Sequence, residues 1–124
     1  MINIHNDIFK LVSFTHADGK IEAILNVNAK SPIFKGHFPA QPVVPGACMV
    51  QLVKDSLESV LGHTIRLKRA DQIKFINVIV PGDGKQLQLT INHRPADDGA
   101  AFVQASLSKN EAICFKLQGT FEIE

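Results

Sequence analysis

The sequence contains no tryptophan, no tyrosine and only two cysteines in 124 residues. Large apolar contacts therefore fall to its eight phenylalanines. Cys48 and Cys114 stand far apart, in segments that the pattern predicts to be regular structure. We expect both to be buried free thiols in a reducing cytoplasm rather than a disulfide. An excess of one charge is also missing, since the formal net charge is +1, so nothing points to nucleic-acid or membrane binding.

Several other signals are absent. No apolar run is long enough to cross a bilayer, and the first residues lack the basic and apolar regions of a signal peptide. The five histidines have no metal-ligand spacing, and neither a Walker-type nor a dinucleotide-binding glycine motif occurs. We therefore expect a cytoplasmic protein with no metal and no cofactor. A length of 124 residues with 45% hydrophobic content predicts one domain, residues 1–124, with a substantial core.

The apolar pattern predicts two strands, one long helix and four further strands. The stretch Phe9 to Thr15 and the alternating stretch Lys20 to Asn28 form a predicted hairpin around Ala17-Asp18-Gly19. An amphipathic helix is predicted from Gly46 to Leu61, with a proline in its first turn and a glycine at its end. Strand, helix and strand in this order indicate an α+β architecture.

The second half of the chain reads as strands. Residues Ile73 to Val80 are apolar on both faces, which predicts a central or interface strand. The turn Pro81-Gly82-Asp83-Gly84 ends it. Alternating apolar residues then predict strands that begin near Leu87, Ala101 and Ile113.

The segment Gly36 to Gly46, G-H-F-P-A-Q-P-V-V-P-G, leads directly into the predicted helix. Proline fixes φ and holds the preceding residue in extended geometry, so three prolines make this segment stiff. Stiffness is useful where one side chain, here His37, must be held beside a helix N-terminus. On the residues alone, a rigid loop with an incidental histidine is the commoner arrangement.

This segment resembles the active-site signature of the 3-hydroxyacyl-acyl-carrier-protein dehydratases, the FabZ- and FabA-like enzymes. The stretch Ala70 to Leu89 is similar to the strand and P-G-D turn of the same family. The resemblance implies a hotdog fold, in which an antiparallel sheet wraps around one long central helix. It also implies a homodimer or a trimer of dimers, and an acyl carrier protein as the partner that delivers 3-hydroxyacyl thioesters.

The resemblance implies a role for two residues in forming a trans-2-enoyl thioester. His37 would be the base that removes the α-proton, because the pKa of histidine lies near working pH. The amide of Gly46 would donate a hydrogen bond to the thioester oxygen, since a helix N-terminus offers free N–H groups and a positive dipole end.

The sequence departs from the family where an acid is expected, fourteen positions after the histidine. Gln51 stands there, and a carboxamide cannot supply a proton. Asp55, one turn further along the same face, is a relocated acid or a solvated partner of Lys54 or Ser59. Alternatively, His37 shuttles the proton while Gln51 orients the hydroxyl. As a third alternative, the chain is an acyl-thioester-binding subunit without catalysis.

The resemblance also suggests where substrate and carrier would bind. The apolar candidates for the acyl tunnel, each equally suited to the core, are Phe38, Val43, Pro45, Met49 and Phe75. The basic candidates for carrier docking, which also fit an ordinary solvated strand edge, are Arg66, Lys68, Arg69 and Lys74. The family's basic pair after the strand phenylalanine is replaced by Ile76-Asn77. A hotdog thioesterase is a further alternative, disfavoured by Gln51 and by the H-F-P…P-G motif.

Overall fold

The computed structural model describes residues 7–36 and 42–124. They form a six-stranded antiparallel sheet packed against one long helix, which is an α+β hotdog fold. In chain order the elements are β1 (Phe9–Ala17), β2 (Lys20–Val27), α1 (Ile33–Gly36), α2 (Gly46–Leu61), β3 (Ile65–Phe75), β4 (Leu87–Pro95), a 3₁₀ turn (Asp97–Gly99), β5 (Ala101–Lys109) and β6 (Ala112–Ile123). The strand order in the sheet is β1-β2-β4-β5-β6-β3, so β1 and β3 are the two edges.

The core lies between the inner face of the sheet and α2. Alternate residues of four strands point inward, because successive strand side chains face opposite sides of a sheet. On the helix, Leu52, Val53 and Leu57 are fully buried against them. The predicted alternation is confirmed by inward residues that are at most 2% exposed: Ile21, Leu25, Leu87, Leu89, Ile91, Val103, Leu107, Phe115, Leu117 and Phe121.

Two tight turns close the β1–β2 and β5–β6 hairpins. Asp18 and Gly19 have φ angles of 52° and 73°, and Asn110 and Glu111 have φ angles of 51° and 66°. Positive φ at both central residues is the type I′ arrangement, whose twist matches that of paired strands. The hairpin predicted between the first two strands is confirmed.

The ends of α2 follow from its flanking residues. Pro45, expected in the first turn, is instead the residue just before it, with φ −63° and ψ 143°. Gly62 ends the helix in the left-handed region, φ 75°, and its N–H donates to the carbonyl oxygen of Glu58 at 3.0 Å. Glycine adopts this conformation without the steric cost that a Cβ would bring.

Of the two alternatives predicted for Ile73 to Val80, the central strand is wrong, and the interface strand stays a prediction. β3 is an edge strand that already begins at Ile65 and ends at Phe75. Pairing stops there because the amides of Ile76 and Asn77 both donate to the carbonyl oxygen of Cys114, at 2.8 and 3.2 Å. The apolar side chains around this end of β3 are therefore exposed. We call them the β3 edge patch: Ile73, Phe75, Ile76, Val78 and Val80.

The cysteines are buried and free, as predicted. Burial raises the pKa of the Cys48 thiol, which keeps it protonated and unreactive. Among residues 7–36 and 42–124, no helix is both long and apolar enough to cross a bilayer.

Candidate active site

The N-terminus of α2 carries the donor that the sequence predicted. As the first helical residue, Gly46 has no acceptor for its N–H within the helix. No hydrogen bond found between described residues outside the regular elements uses that N–H. The helix behind it is sixteen residues long, so its positive dipole end lies at this amide. The arrangement suits an oxygen that gains negative charge.

Phe75 lies directly against this helix end. A Cβ placed on Gly46 would come within 2.7 Å of two ring carbons of Phe75. The same ring stacks on Phe115 with a centroid separation of 5.4 Å, yet it remains 56% exposed. Glycine at position 46 is therefore needed for the ring to approach the backbone.

The segment before α2 is tied to the chain that follows β3. The N–H of Val44 donates to the carbonyl oxygen of Ile79 at 2.8 Å, and both residues are buried. This bond anchors the proline-rich approach two residues before the helix starts. His37 and Phe38, the predicted base and a predicted tunnel residue, lie outside the described residues.

Gln51 and Asp55 form a hydrogen-bonded pair one helical turn apart. The Gln51 amide nitrogen donates to Asp55 Oδ1 at 2.8 Å. Asp55 is only 1% exposed, so the alternative of a solvated Asp55 is wrong. Ser59 Oγ does contact this residue, but at the backbone oxygen, 2.9 Å away.

The burial of Asp55 could not be predicted from the helical pattern. The buried side of α2 includes Cys48 and Asp55, whereas Val50, Val60 and Leu61 of the predicted apolar face are only partly buried. Gln51, only partly buried, stands between Asp55 and the surface.

The other predicted tunnel residues separate into two groups. Val43 and Pro45 are partly buried on the approach to α2, next to Gly46. Met49 is 3% exposed and belongs to the main core cluster. The structure thus brings Val43, Pro45 and Phe75 to the start of the helix and assigns Met49 to the interior.

The four basic residues predicted to dock the carrier are exposed along β3. From Arg66 to Lys74 they extend over about 25 Å of strand. Arg66 pairs with Glu122 at 2.7 Å and Arg69 with Asp71 at 2.9 Å.

Their distances from the helix start differ. The residue before Arg66, Ile65, is bonded through its N–H to Glu58 in the last turn of α2. Lys74, in contrast, precedes Phe75, whose ring contacts Gly46. Within the predicted set, only Lys74 therefore lies near the helix start, and Lys68 lies between the two ends of the strand.

A cavity that the sequence did not indicate lies at the end of α2 opposite Gly46. It has a volume of about 400 Å³ and a largely apolar lining that includes Leu61, Ile65 and Phe121. His16 and His93 meet at its rim with their Nε2 atoms 3.0 Å apart. Burial, and then the charge of His16, lower the pKa of His93. The two residues are 77 positions apart in the chain, so no local pattern could have predicted their contact.

No group of three or more histidine, cysteine or acidic residues able to hold a metal ion occurs in the described part of the chain.

Comparison with known proteins gives the family. A family model described as ApeI dehydratase matches residues 13–116. The chain belongs to the ApeI-like dehydratase family. It is also 38% identical over 85 residues to the 3-hydroxyacyl-[acyl-carrier-protein] dehydratase FabZ of Rickettsia bellii, and 36% identical over 85 residues to that of Rickettsia felis. In both cases the match covers 62% of this chain and 59% of the relative.

Solved structures support the fold of this family member. The dehydratase heterocomplex ApeI:P from Xenorhabdus doucetiae superposes with a TM-score of 0.78 at 18% identity, covering 91% of this chain and 96% of the other. The E. coli PaaI protein superposes with a TM-score of 0.66 at 14% identity, covering 92% and 82%. The predicted hotdog fold and the FabZ-like resemblance are confirmed.

Proposed function

We propose that this chain dehydrates 3-hydroxyacyl thioesters carried on acyl carrier protein, forming trans-2-enoyl thioesters in the cytoplasm. The observation that carries the proposal is the start of α2. There the Gly46 N–H has no helical acceptor, and the Phe75 ring stands against the glycine. This donor lies in a chain of the ApeI-like dehydratase family, nine residues after the histidine of the G-H-F-P segment.

The proposed reaction assigns each residue one task. His37 removes a proton from C2 of the acyl group, and the electron pair forms the C2–C3 double bond as the C3–O bond breaks. The Gly46 N–H donates to the thioester oxygen, on which negative charge grows during this step. The departing hydroxyl takes up a proton and leaves as water.

The source of that proton follows from the Gln51–Asp55 pair. Asp55 is 1% exposed and accepts a hydrogen bond from Gln51, which favours a role that acts through Gln51 over direct contact with the substrate. One N–H of the Gln51 amide is used, which leaves a second N–H and the carbonyl oxygen for the substrate hydroxyl. We propose that His37 returns the proton, Gln51 orients the hydroxyl, and Asp55 is a positioning residue.

The site is proposed to form between two copies of the chain, in a homodimer or a trimer of dimers. The β3 edge patch supports this, because exposed apolar side chains on an unpaired strand edge favour pairing with another chain. Phe75, 56% exposed, and Val78, 68% exposed, would be covered by such pairing. In the FabZ-like family the helix acid completes the site of the other subunit, and here Gln51 would do so.

Gln51 also favours a second candidate function, a subunit that binds acyl thioesters and works with a catalytic relative. The structural neighbour ApeI:P is itself named a dehydratase heterocomplex. In such an assembly the relative would supply the acid that Gln51 cannot.

The deciding experiment gives the purified chain 3-hydroxyacyl and trans-2-enoyl thioesters on carrier protein. Mass spectrometry follows the loss or gain of one water, and a thiol reagent detects thioester hydrolysis. Turnover that His37→Ala abolishes supports the dehydratase. Binding without turnover supports the subunit, and thiol release would indicate a thioesterase and refute both.

Two substitutions of Asp55 separate its possible roles. Asp55→Asn keeps an oxygen that accepts from Gln51, whereas Asp55→Leu removes it. A positioning role predicts that the Asn variant retains much of kcat and the Leu variant does not. Loss of turnover in both would instead identify Asp55 as the proton donor.

A further inference from the structure

A groove of about 490 Å³ lies where the end of β2 meets the P-G-D-G turn. It is polar and lined by lysines from three separate parts of the chain, Lys10, Lys30 and Lys85. All three residues are exposed. Because they come from β1, from the loop after β2 and from the loop before β4, only the tertiary structure brings them together.

The groove is basic because its single lining carboxylate is already occupied. Asp83 Oδ2 pairs with Lys109 Nζ at 2.8 Å, and Asp83 Oδ1 accepts from the Lys85 N–H at 2.9 Å. These contacts, the Lys109 hydrogen bond above all, hold the pKa of Asp83 below its usual range. No second acid belongs to the lining found among the described residues. The three ammonium groups thus outnumber the acids that face them.

The groove is connected to the start of α2 by a short path. Val44 is bonded to Ile79, and Gly82 lies three residues beyond Ile79, at most about 11 Å along the chain. Gly46 lies two residues beyond Val44, at most about 7 Å. A partner seated on the groove is therefore joined to the helix N-terminus by a path of at most about 23 Å from Gly82 to Gly46.

The basic residues of β3 are placed less favourably. Arg66 and Arg69 are already paired with acids, and Arg66 lies near the opposite end of α2. The strand that carries them is also the edge expected to pair with a second copy of the chain.

On the basis of the proposed function, we infer that the groove of Lys10, Lys30 and Lys85 is the docking surface for the acidic carrier protein that delivers the thioester. Complementary charge speeds encounter and fixes orientation more than it adds affinity. The groove would hold the carrier while its thioester enters beside Gly46.

The test compares carrier-borne substrate with the N-acetylcysteamine thioester of the same acyl group, at low salt. The measured quantity is kcat/KM for the carrier-borne substrate divided by kcat/KM for the N-acetylcysteamine thioester. Lys30→Glu/Lys85→Glu should lower this ratio about tenfold or more, the usual scale of electrostatic steering. High salt should reduce the difference in the ratio between the variant and the unmodified chain. Lys20→Glu is the control for charge reversal, because it changes an exposed lysine about 23 Å away along β2 and should leave the ratio unchanged.

The competing surface is tested by Lys68→Glu/Lys74→Glu. If that variant lowers the ratio and the groove variant does not, the inference is overturned. The inference is also overturned if the groove variant loses as much kcat/KM with coenzyme A thioesters as with the carrier-borne substrate. The groove would then recognise phosphate rather than a protein surface.

Failure of the proposed function gives a different result. If the unmodified chain turns over neither thioester, fluorescence anisotropy of labelled holo-carrier measures docking directly. Binding that is lost in the groove variant alone then supports the docking surface even though the enzymatic proposal has failed. Binding unchanged in that variant refutes the docking surface.

Discussion

Replacing Gln51 by glutamate tests the contact on which the mechanistic proposal depends. It puts a second carboxyl group where an amide now donates to Asp55 Oδ1 at 2.8 Å. Two carboxylates at that separation, at an effective dielectric constant of about 20, would repel by about 6 kcal/mol. Keeping one proton on the pair costs less. The cost is about 4 kcal/mol near pH 7.5, because that pH lies about 3 units above the reference glutamate pKa of about 4.3 and each unit costs about 1.4 kcal/mol. The folded variant should therefore retain that proton.

The pH dependence of stability follows from this difference in proton binding. The folded state holds a proton that the unfolded state releases, so the free energy of unfolding falls as pH rises. Relative to the unmodified chain, Gln51→Glu should lose up to about 4 kcal/mol near pH 7.5 but only about 1 kcal/mol near pH 5. Urea unfolding followed by circular dichroism at several pH values measures this.

A double variant provides the matched control. Gln51→Glu/Asp55→Asn reverses donor and acceptor within the same pair, so it should recover most of the lost stability. It should also raise the dehydration rate, because an acid then stands at the family's position. A loss in Gln51→Glu that does not change with pH, or one that the second substitution fails to repair, would show that the two side chains are not in contact.

Two further outcomes are expected. Gly46→Ala should lower the melting temperature, because the added Cβ would lie 2.7 Å from two ring carbons of Phe75 and the proposed pairing of β3 leaves that ring little room to move. Overpacking of this kind costs about 1–3 kcal/mol. The variant should also have a lower kcat/KM, and adding Phe75→Leu should recover the lost stability but not the lost rate. The pKa of His93 is lowered in the folded state, so on acidification the unfolded chain binds a proton at this residue at a higher pH than the folded chain does. The free energy of unfolding should therefore fall as pH drops below about 6.5 and level off below the folded pKa. In His93→Gln, the melting temperature should change less with pH over that range. A pH dependence equal to that of the unmodified chain would exclude His93 as the cause.

The hydrophobic periodicity of the sequence was sufficient to predict a strand or helix wherever that structure depends on residues near in the chain. The period of two gave the inward faces of β2, β4 and β5 and of the middle of β6, although Ile113 and Ile123 at the two ends of β6 are exposed. The period of 3.6 with Gly62 gave α2 from Gly46 to Leu61. Motif resemblance gave the hotdog fold and the dehydratase family. The pattern did not give the bounds of β3, because the stretch Ile73 to Val80 is apolar on both faces although strand pairing ends at Phe75.

The sequence by itself determined α2, most of the strands, the family and the positions where chemistry is expected. Only the tertiary structure decided which distant residues meet: Phe75 with Gly46, His16 with His93, and three lysines around the P-G-D-G turn. It also decided that Asp55 is buried, although this residue lies outside the predicted apolar face of α2. The physical reason is the same in each case. Periodicity records which side of an element is apolar, whereas contact and burial depend on how far the other elements reach around it.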